Sequence, residues 1–240
     1  MNTKEKSRYF VNLNKDCYTS TCKSLRKNSS VFFKFCTPNT IQSVSLLSRF
    51  MHNPSRIHYA VAKRVLRYLK GTKNHGLKYV HNEDNRLIGY TESDWGGSLD
   101  DGKSTSGYVF FLGTNAISWS SKKQKTTALS STEAEYVSAT EASCEVVWLR
   151  RILADLEQVQ NDPTIIYCDN KSAIAMTENP VFHSQTKHIK LRYHFIRDLV
   201  QEEEIRLDYI GTNEQVADML TKSVSSNKFA YFRDQMRITN

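Results

Sequence analysis

Leu87-Ile88-Gly89-Tyr90-Thr91-Glu92-Ser93-Asp94-Trp95 is the stretch that decides the fold. It opens with a strand-forming run over 87–92, and the character of the chain changes there. Two further strand-like runs follow at 107–112 and 115–119, separated by turns rich in Gly, Ser and Asp. A long helix is predicted from about Ser131 to Leu156, with Ala134, Val137, Val146, Leu149, Ile152 and Leu153 on its apolar side. Asp162-Pro163 ends it, and the apolar strand 164–168 comes next. Helical stretches at about 170–178 and 188–202, a strand at 205–210 and a last helix from Asn213 complete the order. Three consecutive strands, then strands alternating with helices, imply an α/β fold built on a mixed sheet with helices packed on its faces.

Upstream, the period is helical. Ile41, Val44, Leu47 and Met51 fall on one face of a helix from Thr40 to Met51. Asn53-Pro54 reads as the N-cap and first position of a second helix, which Gly71 ends. Its outer face, Arg56, Lys63, Arg64, Arg67 and Lys70, is basic. Residues 1–37 show no clear period.

Charge is unevenly spread. The net charge is +8, but residues 1–80 carry 16 Lys and Arg against 2 Asp and Glu, whereas residues 81–240 carry 17 against 23. A basic N-terminal part on a mildly acidic remainder suits an electrostatic arm for a polyanion, against the plainer reading of a solvated basic face. No apolar run approaches membrane-spanning length and the N-terminus lacks a signal-peptide core, so the expectation is an intracellular protein, cytoplasmic or nuclear, with no membrane partner. Five scattered cysteines without a C-x-x-C read as reduced thiols.

Four acidic residues sit where the chain should deliver carboxylates to one point. Asp94 follows the first strand, Glu135 lies one turn inside the long helix, Asp169 ends the strand 164–168, and Asp218 lies on the last helix. Carboxylates gathered at strand ends and helix starts are costly unless a cation joins them, so a hydrolytic divalent-metal site is the leading reading. Glu133 is set aside, because Ser130-Ser131-Thr132-Glu133 fits a capping box that explains it by helix initiation alone. Lys122, Lys123 and Lys125 are placed in the loop that enters the Glu135 helix, as phosphate contacts or merely as a solvated loop.

Gly97-Ser98-Leu99-Asp100-Asp101-Gly102-Lys103-Ser104 matches the phosphate-loop pattern letter for letter, yet strand-forming residues follow it where a helix is required, and two aspartates lie inside it. A hairpin turn is the better reading and no nucleotide cofactor is expected. His183, His188 and His194 with Cys168 lack zinc-ligand spacing and read as packing or phosphate contacts.

Asp94-Trp95, Ser131-Thr132-Glu133-Ala134-Glu135-Tyr136, Cys168-Asp169-Asn170-Lys171-Ser172-Ala173 and Ala217-Asp218-Met219-Leu220-Thr221-Lys222 together resemble the ribonuclease H domain of copia-type retrotransposon polyproteins. Lys103–Tyr108 and Thr186–Arg197 look like the same family. So does Leu47–Met51 with Arg67–Thr72, which in that family lies between polymerase and ribonuclease H. The resemblance covers about residues 38–235. It implies a ribonuclease H-like sheet of five strands, three antiparallel then two parallel, with helices on both faces. It also divides the chain into a basic segment 1–37, a helical polymerase-connection remnant 38–80, a ribonuclease H domain 84–224 and a C-terminal tail 225–240.

The activity so implied is cleavage of the RNA strand of an RNA–DNA hybrid, leaving 3′-hydroxyl and 5′-phosphate ends. Two Mg²⁺ ions, with Mn²⁺ as a substitute, would sit roughly 3.5–4 Å apart. Asp94 is expected to bridge them, Glu135 and Asp169 to hold the ion near the leaving group, and Asp218 the ion that presents water. Thr132 and Asn170 are expected to help Glu135 select RNA through a 2′-hydroxyl. Cellular members carry a histidine loop before the last aspartate, whereas Gly211–Ala217 leaves no such loop here. No Tyr-x-Asp-Asp occurs, so the chain looks like a truncated element copy, with a reverse transcriptase in trans as a partner. The alternative is a catalytically weak or inactive nucleic-acid-binding remnant of the same domain.

Overall fold

The computed structural model describes residues 37–81, 84–178 and 195–239. Residues 1–36, His183, His188, His194 and most of the Thr186–Arg197 stretch lie outside the described residues, as do the expectations placed on them. The chain divides into two units, Met1–Gly71 and Thr72–Asn240.

In the first unit, α1 (Pro38–Ser48) opens with proline at its first turn and buries Ile41 and Val44. The second helix, α2 (Arg56–Gly71), starts later than Asn53-Pro54 suggested. Ser55 Oγ accepts from the His58 N–H at 3.4 Å, so serine occupies the capping place. Asn39 Nδ2 donates to Tyr68 Oη at 2.6 Å and ties the two helices together.

The second unit is built on a five-stranded sheet in the order β4-β3-β2-β5-β6. Its strands are β2 (Leu87–Asp94), β3 (Thr105–Leu112), β4 (Asn115–Lys123), β5 (Thr164–Cys168) and β6 (Ile205–Tyr209). β2 is central, pairing antiparallel with β3 and parallel with β5. Three antiparallel strands followed by two parallel ones are the arrangement the family resemblance implied. The long helix α3 (Ser131–Asp155) buries Tyr136, Ala139, Val146 and Leu149 against Leu87, Phe110 and Ile166 of the sheet, with Ile196 and Leu199 from a helix over 195–201 (α5). α4 (Lys171–Glu178) follows β5.

Several boundaries differ from the sequence reading. β3 and β4 are longer than expected, because polar residues such as Ser106, Ser120 and Ser121 keep pairing beyond the apolar run. Lys122 and Lys123 are therefore the last residues of β4, opposite Ser106 and Thr105, and not loop residues. The segment from Asn213 starts as a turn, and the helix α6 spans only Asp218–Thr221. Residues 226–235 and 238–239 form regular elements. Ser225 caps α7 (Ser226–Gln235), and β7 (Ile238–Thr239) pairs antiparallel with β1 (Gly76–Leu77), so residues 76–77 pair within the second unit. Phe232, Met236 and Ile238 are buried there.

Candidate metal centre

The site forms where the ends of β2 and β5 meet the first turns of α3 and the short helix α6. Tyr90 pairs with Tyr167 in the parallel ladder, so continuing that register by two residues sets Glu92 level with Asp169. Glu135 reaches the same place from α3, whose start is fixed by Ser130 Oγ accepting from the Glu133 N–H at 3.2 Å. Glu133 reaches back one residue beyond the N-cap and accepts from the Leu129 N–H at 2.8 Å, which keeps it in helix initiation. Glu92, Glu135 and Asp169 thus offer oxygens that all lie within 4.8 Å of one another.

Glu135 is held by the Ser93 N–H, which donates to its Oε1 at 2.9 Å, and by the Cys168 thiol 3.9 Å from its Oε2. Thr212 Oγ1 donates to Asp169 Oδ2 at 2.9 Å. Glu92 is 3% exposed and its Oε2 has no hydrogen-bond partner. A buried, unsatisfied carboxylate oxygen facing two more carboxylates is open to a cation.

Asp218 is fully buried at the start of α6, which lies tight on β3. Gly107 permits that approach: a Cβ there would stand 2.7 Å from Thr221 Cγ2 and 2.9 Å from Leu220 Cβ. Lys222, one turn on, sets its Nζ 2.8 Å from Asp218 Oδ1 and 3.0 Å from Glu92 Oε1. Lys228 on α7 donates to Asp218 Oδ2 at 2.6 Å and to the Thr212 carbonyl at 2.8 Å.

The electrostatics follow from burial. Loss of solvent, then the nearby charge of Asp169, pushes the Glu92 carboxyl up to about 8 against Lys222's opposing pull. Burial and then Glu92 hold Glu135 well above the usual carboxylate range. Burial works against the Lys222 charge, but Asp218 and Glu92 outweigh it and keep this lysine above its ordinary value. Burial also raises the Cys168 thiol, with the charge of Glu135 adding to it.

The structure brings together Glu135 and Asp169 from the expected set and joins Asp218 to them through Lys222 and Glu92. Asp94 is not in the group. It shares a sheet face with Glu92 but lies two residues on, about 6.6 Å further along the strand. There its Oδ1 accepts from the Thr105 N–H, closing the β2–β3 ladder. Gly97 packs so closely that a Cβ would collide with the Asp94 carboxylate. The phosphate-loop look-alike around it is a turn that leads from Ser104 into β3, with Ser104 Oγ accepting from the Gly96 N–H at 3.0 Å.

Of the residues expected at substrate, Thr132 lies half-buried in the first turn of α3. Asn170 Oδ1 accepts from the Ala173 N–H at 3.0 Å and so caps α4. Lys122 is exposed at the end of β4, while Lys123 is engaged with Asp101 at 2.7 Å.

Sequence reasoning missed Glu92, Lys222 and Lys228, and two buried amides that hold the frame. Gln124 Nε2 donates to Ser93 Oγ, Ser106 Oγ and the Ala134 carbonyl at 3.2, 3.0 and 2.9 Å, stapling β2, β3 and α3. Gln215 Nε2 donates to the Thr91 carbonyl at 3.0 Å and lies 3.4 Å from that of Tyr167, across β2 and β5. The i, i+4 spacing of Asp218 and Lys222 was a legible signal. The parallel register that selects Glu92 was not, because it depends on how β2 and β5 align.

No family model matches the chain. The retrovirus-related Pol polyprotein from transposon RE1 of Arabidopsis thaliana is 44% identical over 208 residues, covering 87% of this chain and 14% of the polyprotein. That from transposon TNT 1-94 of Nicotiana tabacum is 44% identical over 219 residues, covering 91% of this chain and 16% of the polyprotein. The chain therefore spans about a seventh of these relatives' length. Among solved structures, the foamy viral protease-reverse transcriptase in complex with RNA/DNA hybrid is similar in fold, with a TM-score of 0.59 at 14% identity. The match covers 94% of this chain and 29% of that one.

Proposed function

The chain belongs to the copia-type retrovirus-related Pol polyproteins, and we propose that it is the part that cuts the RNA strand of an RNA–DNA hybrid. The observation that carries this reading is the convergence of Glu92, Glu135 and Asp169 with a buried, unpartnered Glu92 oxygen. An all-oxygen donor set of carboxylates fits Mg²⁺, with Mn²⁺ as a substitute. Glu92, Glu135 and Asp169 would hold one ion, and Glu92 with Asp218 a second, so Glu92 in place of Asp94 would serve both. Held there, divalent ions would supply an activated water and charge stabilisation at the leaving 3′ oxygen.

The chain's own groups prepare that chemistry. The Ser93 N–H orients Glu135, Thr212 orients Asp169, and Lys228 fixes one oxygen of Asp218. Exposed Lys122 and the first turn of α3 at Thr132 offer contacts to the hybrid backbone and a 2′-hydroxyl. A reverse transcriptase is the proposed partner in gripping the hybrid.

The test is Mg²⁺-dependent cleavage of an end-labelled hybrid by purified protein, with Glu135→Gln as control. Cleavage that the control abolishes supports the proposal. Retained hybrid binding without cleavage at any Mg²⁺ or Mn²⁺ concentration would instead support a binding-only remnant.

A further inference from the structure

Lys222 occupies an unusual place for a lysine. Its Nζ stands within ion-pair distance of two buried carboxylates from different elements, 3.0 Å from Glu92 Oε1 and 2.8 Å from Asp218 Oδ1. These are the two residues that the proposed function assigns to the second ion. We propose that the Lys222 ammonium is a tethered stand-in for that ion, so that the two ions load in order. The Glu92–Glu135–Asp169 position would fill first, and the Glu92–Asp218 position only when Lys222 swings out. This inference rests on the metal-site reading above.

Three observations favour displacement over a fixed structural pair. First, the Lys222 side chain is 40% exposed, so its flexible stem has a route to solvent, whereas both carboxylates are almost fully buried. Second, Asp218 does not depend on Lys222 alone. Lys228 holds its other oxygen at 2.6 Å and is anchored by the Thr212 carbonyl and by the Phe232 ring 5.3 Å away. Departure of Lys222 therefore frees one oxygen of Asp218 while the other stays fixed. Third, neither Glu92 Oε2 nor Asp218 Oδ1 has a hydrogen bond, but only Asp218 Oδ1 carries an ion pair, with Lys222 at 2.8 Å, so a cation entering at Glu92 Oε2 displaces nothing from that atom. A buried charge pair is strong only while both members stay, and a divalent ion replaces the ammonium with twice its charge.

The experiment is Mn²⁺ binding to the full chain, followed by calorimetry and by loss of the free-ion electron paramagnetic resonance signal. Wild type, Lys222→Gln and Lys222→Arg are compared, with folding checked by circular dichroism. Expected is a tighter and a weaker step in wild type. In Lys222→Gln the weaker step tightens about tenfold while the tighter one is unchanged. In Lys222→Arg, which keeps the charge, the weaker step stays weak. A second step of unchanged affinity in Lys222→Gln overturns the inference while leaving the metal site standing. Equal tightening in both variants also overturns it, since the charge would then not be the cause. A wild type that binds no Mn²⁺ overturns the inference and the metal-site reading together.

Discussion

The two halves of the carboxylate site are built from similar groups and treat charge in opposite ways. On the sheet side, Glu92, Glu135 and Asp169 face one another with backbone amides, hydroxyls and a thiol as neighbours, and burial pushes Glu92 and Glu135 towards their neutral forms. On the helix side, Asp218 is more deeply buried yet has two lysines on its oxygens. The chain sets two lysines on the helix half and shares only one of them, Lys222, with the sheet half. Lys222 stands on the boundary and touches both halves.

The largest expected effect breaks the sheet half. Glu92→Gln keeps the shape of the side chain but removes the charge that the two ion positions share. Hybrid cleavage should fall by at least about 100-fold, more than loss of an outer-shell partner costs. The same variant should melt at a higher temperature than wild type in chelator, because a crowded carboxylate has been removed. A cleavage rate within threefold of wild type would mean that the sheet half is not the metal position.

Next is the helix half. Asp218→Asn leaves Lys222 and Lys228 without their main counter-charge and should destabilise the metal-free protein by about 2 kcal/mol, a figure lowered because both lysines are partly exposed. Urea unfolding in chelator measures it. The contrast sharpens the comparison: neutralising an acid should stabilise the metal-free sheet half and destabilise the helix half.

A smaller effect separates the halves by pH. The Glu92 carboxyl titrates near 8 in the folded chain against an ordinary value of 4.5, so the folded state binds the proton more tightly than the unfolded one. Its contribution is fully present below about 4.5 and is lost as pH rises through about 8. The metal-free melting temperature should therefore fall across that window, with a smaller slope in Glu92→Gln. Saturating Mg²⁺ should offset the fall, because it binds the ionised form. A slope that Glu92→Gln leaves untouched would place the titrating group elsewhere.

Much of this arrangement was legible before any coordinates. The alternation at 87–92, the serine cap before Glu133 and the apolar strand before Asp169 fixed the central strand, the long helix and two of the carboxylates, since each signal is local. What escaped was relational. Glu92 and Asp94 share one face of β2, and only the pairing of Tyr90 with Tyr167 says which is level with Asp169. Lys228 and the buried Phe232 belong to a segment with a weak apolar period, whose place is set by tertiary contacts with Asp218 and by the pairing of β7 with β1. Gln124 and Gln215 gave no signal, because a buried amide is recognised only once the groups it bonds are known.

Asp94 offers the finest cut, because it lies on the same strand and face as Glu92 and differs in position and by one methylene. Its carboxylate accepts from the Thr105 N–H and packs against Gly97, so its work is to close the turn between β2 and β3. Asp94→Asn retains an acceptor oxygen but loses the charge that strengthens the hydrogen bond. Stability should fall by about 1 kcal/mol, with cleavage changed less than about threefold and Mn²⁺ affinity unchanged. Loss of cleavage as deep as that of Glu92→Gln would return Asp94 to the metal site.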